Sequence, residues 1–368
     1  MKLALVQDWF AVNGGAEKVV RELVDMYPEA DIFSLVDFLN DSDRQEILKG
    51  KKSTSSYLQH FPFAREHFRN YLPLFPNAIE SLDLSGYELI ISSSYSVAKG
   101  VKKEKGQIHI CYCHSPVRYA WDLRKEYLAG LSLPKKILSA ITLAYIRKWD
   151  LGTSKRVDLF IANSKNVAER IKRIYNRDSV VIYPPVDTAS FSPDENKGDY
   201  YFTTLRVVPY KRLDLIIDTF NQLPDKKLIV AGEGPALEKL KKKAGSNISF
   251  AGFLSKNELV GLMQKARAFI LAAEEDFGIT SLEAQSCCTP VIAYRKGGYL
   301  ETVVEGKTGV FFDHQTTDSL RNAIIGFENS GIRFRKEDFI ANVEHFTTAR
   351  FRREFKKTVD EYLAGKNQ

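Results

Sequence analysis

Two carboxylates separated by seven residues, Glu275 and Glu283, lie in the stretch Ala272-Ala-Glu-Glu-Asp-Phe-Gly-Ile-Thr-Ser-Leu-Glu283. The apolar run Ala268–Ala273 comes before this stretch. A helix-like segment follows, ending at Cys287-Cys-Thr-Pro290, and then a second apolar run, Val291–Tyr294. The order predicts strand, loop, helix, strand, with the loop at the carboxyl end of the first strand. Open α/β sheets collect ligands at that edge. At the predicted helix start, the N–H groups of Ile279, Thr280 and Ser281 would be free to meet an anion. Gly278 would let a ligand come close to the backbone, and Phe277 precedes it. Glu275 and Glu283 would stand on either side. A ligand with a phosphate in the middle and hydroxylated rings at both ends fits this pattern, and a nucleotide sugar has that shape. The competing reading makes both glutamates capping or dipole partners of an ordinary helix start.

Cations recur at the same predicted edge. The strand ending at Leu205 leads into Arg206-Val-Val-Pro-Tyr-Lys211 and then a helix over Leu213–Asn221. Arg206 offers a planar fork and Lys211 a point charge, a pair suited to one diphosphate. Gly232-Glu-Gly-Pro235 ends the next predicted strand as a glycine-rich turn. Near the amino terminus, strand Lys2–Gln7 is followed by Gly14 and Gly15 just before a helix. That pair predicts either a phosphate-accepting nest, without GxGxxG spacing, or a tight turn. His114 follows the strand Gln107–Cys113, again at a carboxyl end.

These residues need two α/β cores to hold them, and 368 residues are enough. Further strands are expected at Asp31–Val36, Tyr87–Ser94, Val157–Ala162 and Val180–Asp187, with a boundary in the polar stretch 188–198. Beyond it the strands are Tyr200–Leu205, Lys227–Ala231, Ile248–Phe253, Ala268–Ala273, Pro290–Tyr294 and Gly309–Phe312, and residues 334–368 read as helical. Hydrophobic residues at 44% and charged residues at 27% suit a soluble globular chain. No apolar run approaches the ~18 residues of a membrane span. Cys111, Cys113, Cys287 and Cys288 lack zinc-site or redox spacing and read as buried thiols in a reducing, cytoplasmic setting. The net charge of +7 is uneven, because the first 187 residues carry 27 of 53 Lys and Arg but 22 of 46 Asp and Glu. Within that half, residues 44–77 and 119–150 interleave basic and aromatic side chains. These stretches suit an anionic membrane surface or an acidic acceptor, or else pack their aromatics inward. The charge is diffuse and no nucleic-acid recognition motif accompanies it, so nucleic acid is not an expected partner.

With these residues in view, the chain resembles the retaining glycosyltransferases of the GT-B fold, in the large group that includes mannosyltransferases of polysaccharide and lipopolysaccharide assembly. Glu275-Asp-Phe-Gly-Ile-Thr-Ser-Leu-Glu283 is similar to that family's E-x7-E signature. Leu205-Arg-Val-Val-Pro-Tyr-Lys211 and Gly297-Gly298 are secondary matches, and Cys113-His-Ser-Pro-Val-Arg-Tyr-Ala-Trp-Asp122 looks like a subgroup using GDP-mannose. The resemblance implies two Rossmann-like domains facing a cleft: 1–187 for the acceptor, 188–345 for the nucleotide sugar, and a helix in 346–368 returning to the first. It implies that Arg206 and Lys211 neutralise the donor diphosphate and that Glu283 holds the ribose. Glu275 would hold sugar hydroxyls with the Phe277 and Gly278 backbone. Gly14 and Gly15 would approach the donor phosphate, and His114 would touch the sugar. The implied partners are a GDP-mannose donor and a glycan or lipid-linked glycan acceptor; peripheral contact with an anionic membrane, at the inner face of the cell membrane, is expected from the two basic-aromatic stretches. No cofactor and no metal is implied, since no Asp-x-Asp motif suggests one; Asp41-Ser-Asp43 sits in a polar stretch and is discounted. The family usually has glycine where this chain has Leu205 and Arg212. A UDP-sugar transferase, a nucleotide-sugar epimerase and a phosphorylase remain as alternatives.

Overall fold

The computed structural model describes residues 1–128 and 131–366, which form two compact units. The first comprises Met1–Pro185 together with the chain from Phe351 onward, and the second comprises Val186–Arg350.

The sheet of the first unit holds β1 (Leu3–Gln7), β2 (Asp31–Ser34), β3 (Thr54–Ser55), β4 (Leu89–Ser94), β5 (Ile108–Cys113), β6 (Leu159–Ala162) and β7 (Ser179–Val181). Its order is β3-β2-β1-β4-β5-β6-β7, and the pairs are parallel. Every residue of β1 and β4 is buried, which is why a sheet covered on both faces reads as continuous apolar runs. The predicted strand Val180–Asp187 is shorter in the structure. β7 stops at Val181, and Ile182 N adds one further bond to Ala162 O at 3.0 Å before Pro184 and Pro185, which have no N–H to give. Phe351, Phe355 and Val359 of the helix Thr348–Lys366 complete this unit's core, with Phe351 edge-on to Tyr112.

The second sheet holds β8 (Tyr200–Thr204), β9 (Lys227–Ala231), β10 (Ile248–Gly252), β11 (Ala268–Leu271), β12 (Val291–Tyr294) and β13 (Gly309–Phe312) in the order β10-β9-β8-β11-β12-β13. It too is parallel. In each sheet the winding direction reverses once, between β1 and β4 and between β8 and β11. A crevice opens at the carboxyl ends of two such strands, where ligands bind in doubly wound sheets.

The stretch 44–77 resolves into the helix Asp41–Leu48 and a series of short helical turns. Leu58, Phe68 and Phe75 are buried with Trp9, and Arg69 stacks 4.4 Å from the Phe68 ring. Arg44 is committed to Asp37 at 2.7 and 2.9 Å. Phe68 and Phe75 of this stretch thus pack inward, while Phe63 and Leu74 are exposed. The four cysteines are buried and free. Among the described residues no helix is long and apolar enough to cross a membrane.

Candidate active site

The second unit brings its nominated residues to its switch point. β8 and β11 pair directly, so the chain leaving β8 and the loop leaving β11 emerge side by side. Arg206 comes off the end of β8 and is exposed, with no ion pair among the described residues. Lys211 closes the helical turn Pro209–Lys211, and its Nζ donates to Glu275 Oε1. Both side chains are about four-fifths buried, so this pair is only partly screened by water. Residues separated in sequence by 64 positions thus meet where the fold places ligands.

Three glycines hold the loop that carries Glu275. Gly298 N donates to Glu275 O at 2.8 Å, and a Cβ on Gly298 would lie 2.2 Å from Phe277 Cα. On Gly297, at φ +68°, a Cβ would lie 2.3 Å from Glu275 O. Gly278 takes φ +89° at the start of the helix Ile279–Ser286, and Tyr299 packs against the side where its Cβ would be. The expected set of three free N–H groups needs one correction. Ser281 N donates to Gly278 O at 3.0 Å and Ser281 Oγ to the same oxygen at 2.7 Å, which leaves Ile279 and Thr280 as the first-turn donors. Glu283, one turn further in, is buried.

Gly232 needs a different explanation from the one its position suggested. At φ +115° a Cβ there would sit 2.0 Å from Leu205 O, and Gly234 stands likewise 2.3 Å from Val207 O. Val207 N donates to Glu233 O at 2.8 Å. These glycines let the turn after β9 pack against the backbone leading from β8, and so position Arg206. Arg212 takes φ +57° and ψ +35°, a left-handed conformation at the start of the helix Leu213–Asn221. Such a conformation costs a non-glycine residue about 1 kcal/mol. Arg212→Gly is therefore expected to raise stability by about 0.5–1 kcal/mol, read as a higher unfolding midpoint. An unchanged or lower midpoint would show that the Arg212 contacts to Asp214 and Gln315, at 3.3 and 3.4 Å, outweigh the strain.

In the first unit, the glycine pair does not build a nest. Gly14 is extended at φ −120°, and neither Gly14 nor Gly15 is left-handed. Gly14 N donates instead to Glu17 Oε2 at 3.1 Å, and a Cβ would lie 2.9 Å from that oxygen. The glycine makes room for a buried carboxylate. His114 follows β5 and is hydrogen-bonded through Nε2 to Ser93 Oγ at 2.8 Å, with Tyr112 and Tyr95 edge-on to its ring. The ring is thus held at the carboxyl edge of β4 and β5.

Two acids at this edge were missed. Asp8, just past β1, is buried and accepts four backbone N–H groups, from Tyr95, Ser96, Val97 and Ala98, at 2.5–2.9 Å. Burial pushes its carboxyl up to about 6, and the four bonds only moderate that rise. Burial likewise raises Glu17 to about 7. The folded state then holds a proton on Glu17 that the unfolded chain, with its ordinary value of 4.5, has lost. Stability therefore falls as pH rises from about 4.5 to 7, by up to about 3 kcal/mol. Gln7 Nε2 donates to Glu17 Oε1 at 3.3 Å, while the buried Gln7 Oε1 has no partner among the described residues. Glu17→Gln would keep an acceptor for Gly14 N and add a donor facing Gln7. The variant is expected to melt above the wild type at pH 8 and near it at pH 5; thermal midpoints across that range check this.

Comparison with known proteins places this geometry. Residues 13–190 match the model described as Glycosyltransferase Family 4, and residues 186–345 match Glycosyl transferases group 1. Between them the two glycosyltransferase models match residues 13–345, one on each unit. It is 32% identical over 170 residues to the GDP-mannose-dependent alpha-(1-6)-phosphatidylinositol monomannoside mannosyltransferase of Mycolicibacterium smegmatis, covering 38% of this chain and 44% of that protein. It is 28% identical over 284 residues to a D-inositol 3-phosphate glycosyltransferase of a Mycobacterium species (strain KMS), covering 67% of this chain and 64% of the relative. The chain thus spans about half to two thirds of the length of these curated relatives. Among solved structures, Anabaena HepE in complex with UDP matches with a TM-score of 0.72 and 16% identity over 98% of this chain and 100% of that one. Sucrose-phosphate synthase from Thermosynechococcus elongatus matches with a TM-score of 0.75 and 16% identity over 99% and 100%. At that identity the two structures speak for the GT-B fold of this chain and for nothing finer.

Proposed function

We propose that this chain is a glycosyltransferase, a retaining hexosyltransferase that moves mannose from GDP-mannose to a lipid-linked or polysaccharide glycan. The observation that carries the reading is the Lys211–Glu275 pair at the β8/β11 switch point, beside the helix start at Ile279 and Thr280. The GDP-mannose donor is supported by the likeness to the GDP-mannose-dependent mannosyltransferase of Mycolicibacterium smegmatis. Phe277, Gly278 and Glu275 hold sugar hydroxyls in this account, and Glu283 the ribose.

In the reaction, the bond between the anomeric carbon and the diphosphate oxygen breaks while positive charge grows on the sugar. The acceptor oxygen bonds to that carbon on the same face, and its proton passes to the leaving diphosphate. Negative charge therefore builds on the diphosphate in the transition state. The Arg206 guanidinium, the Lys211 ammonium and the first-turn N–H groups meet that charge more strongly than they meet the bound donor, and this difference lowers the barrier. Charge neutralisation is assigned to these cations rather than to a divalent ion. No side chain is assigned as base.

Incubation with GDP-mannose or UDP-glucose and a membrane lipid extract, followed by proton NMR, tests the proposal. The expected result is GDP release with an α-linked mannosyl product. Turnover of UDP-glucose alone would overturn the donor, and a β-linked product would overturn retention.

A further inference from the structure

The helix Leu133–Thr153 presents its apolar side to solvent. Leu133, Ile137, Leu138, Ile141 and Tyr145 are 71%, 54%, 67%, 63% and 47% exposed, and Leu151 continues the stripe at 43%. The spacing of Leu133, Ile137, Ile141 and Tyr145 is one helical face. The opposite face is anchored by Leu143, Ile146, Asp150 and Thr153, which are buried in the first unit. No other helix or strand among the described residues exposes more than one large hydrophobic side chain. A stripe of this kind on a surface marks an interaction site.

Its charge selects the occupant. Between Tyr127 and Trp149 the sequence carries Lys135, Lys136, Arg147 and Lys148 and no carboxylate. Lys135 and Lys136 are exposed in the first turn, and Lys148 is exposed on the same side as Ile141. Three of the neighbouring aromatic residues are used elsewhere. Trp121 Nε1 donates to Asp150 at 2.8 Å, Trp149 Nε1 donates to Glu80 at 2.7 Å, and Tyr119 OH is bonded to Ser96 Oγ at 2.6 Å. These bonds fix the inner face of the helix and leave aliphatic side chains, ringed by cations, pointing outward. We infer that this face lies in the headgroup layer of an anionic bilayer, with Ile137, Leu138 and Ile141 inserted and Lys135, Lys136 and Lys148 at the phosphates. This surface reading does not depend on which sugar the enzyme moves.

The test uses the full chain and vesicles of phosphatidylcholine with or without phosphatidylglycerol. The wild type is expected to co-sediment with the phosphatidylglycerol vesicles at low salt, to release at high salt, and to ignore pure phosphatidylcholine. Ile137→Glu with Ile141→Glu is expected to weaken vesicle binding at least about tenfold without moving the unfolding midpoint. Lys135→Glu with Lys136→Glu is expected to reduce binding to the anionic vesicles as well. A wild type that stays in the supernatant overturns the inference, and so does undiminished binding by the isoleucine pair variant. A dimer in sedimentation equilibrium that the same variant dissolves, without vesicle binding, would assign the face to a second copy of the chain.

Discussion

Lys211→Ala is expected to lower turnover about 10²–10³-fold, the loss seen when one preorganised charge partner of a transition state is removed. Donor affinity should fall by no more than about tenfold, because the ammonium meets less charge in the bound donor than in the departing diphosphate. The structure adds a reason for the size of the effect. Lys211 Nζ holds Glu275 Oε1, so its removal also leaves a partly buried carboxylate without its counter-charge beside the proposed phosphate site. Lys211→Arg is expected to recover part of the activity, since the charge returns with a different geometry. Steady-state and binding measurements on the same preparation separate the two terms. Equal losses in kcat/KM and in affinity, with kcat unchanged, would show that Lys211 contributes only uniform binding.

The largest stability effect is expected at Asp150. Its carboxylate is fully buried and accepts from Lys99 Nζ, from Trp121 Nε1 at 2.8 Å and from Tyr175 OH at 2.9 Å. Lys99 is only 1% exposed. The cluster joins the turn after β4 to the helices Leu133–Thr153 and Lys165–Tyr175. Asp150→Ala leaves the Lys99 ammonium buried without its counter-charge, at a cost of about 3–5 kcal/mol. For a unit of this size that corresponds to a fall in midpoint of about 10 °C. The double variant Lys99→Met with Asp150→Leu, which removes both charges and keeps the volume, should recover most of the loss. If Asp150→Ala melts within a degree or two of the wild type, the cluster is not what fixes these helices.

The contrast between these two sites shows what the sequence could convey. Arg206, Lys211, Glu275 and Glu283 were legible because parallel strands are buried on both faces and read as apolar runs. Charged residues at the ends of such runs mark the ligand edge of a sheet. Asp150 and Asp8 were not legible in that way, because their partners lie far along the chain. Lys99 is 51 positions from Asp150, and the N–H groups around Asp8 are 87–90 positions away. Glycine carried an ambiguity of its own. Gly14 and Gly232 sit at strand ends as a phosphate loop would have them, yet the space of their missing Cβ atoms goes to the Glu17 carboxylate and the Leu205 carbonyl. The aromatic stretches were ambiguous in the same sense: the Phe68 and Phe75 rings turned inward, and the outward face of the helix Leu133–Thr153 is aliphatic apart from Tyr145. Local spacing indicates which residues can reach an edge, and only packing decides what fills it.

Calorimetric titration of GDP without added metal most directly tests the proposed diphosphate site, which the second unit alone would build. The wild type is expected to bind with one-to-one stoichiometry. Glu283→Ala should lose most of that affinity through the ribose, and Arg206→Ala should lose less through the phosphates. Absence of GDP binding, or binding that neither substitution changes, would contradict the site at the β8/β11 switch point.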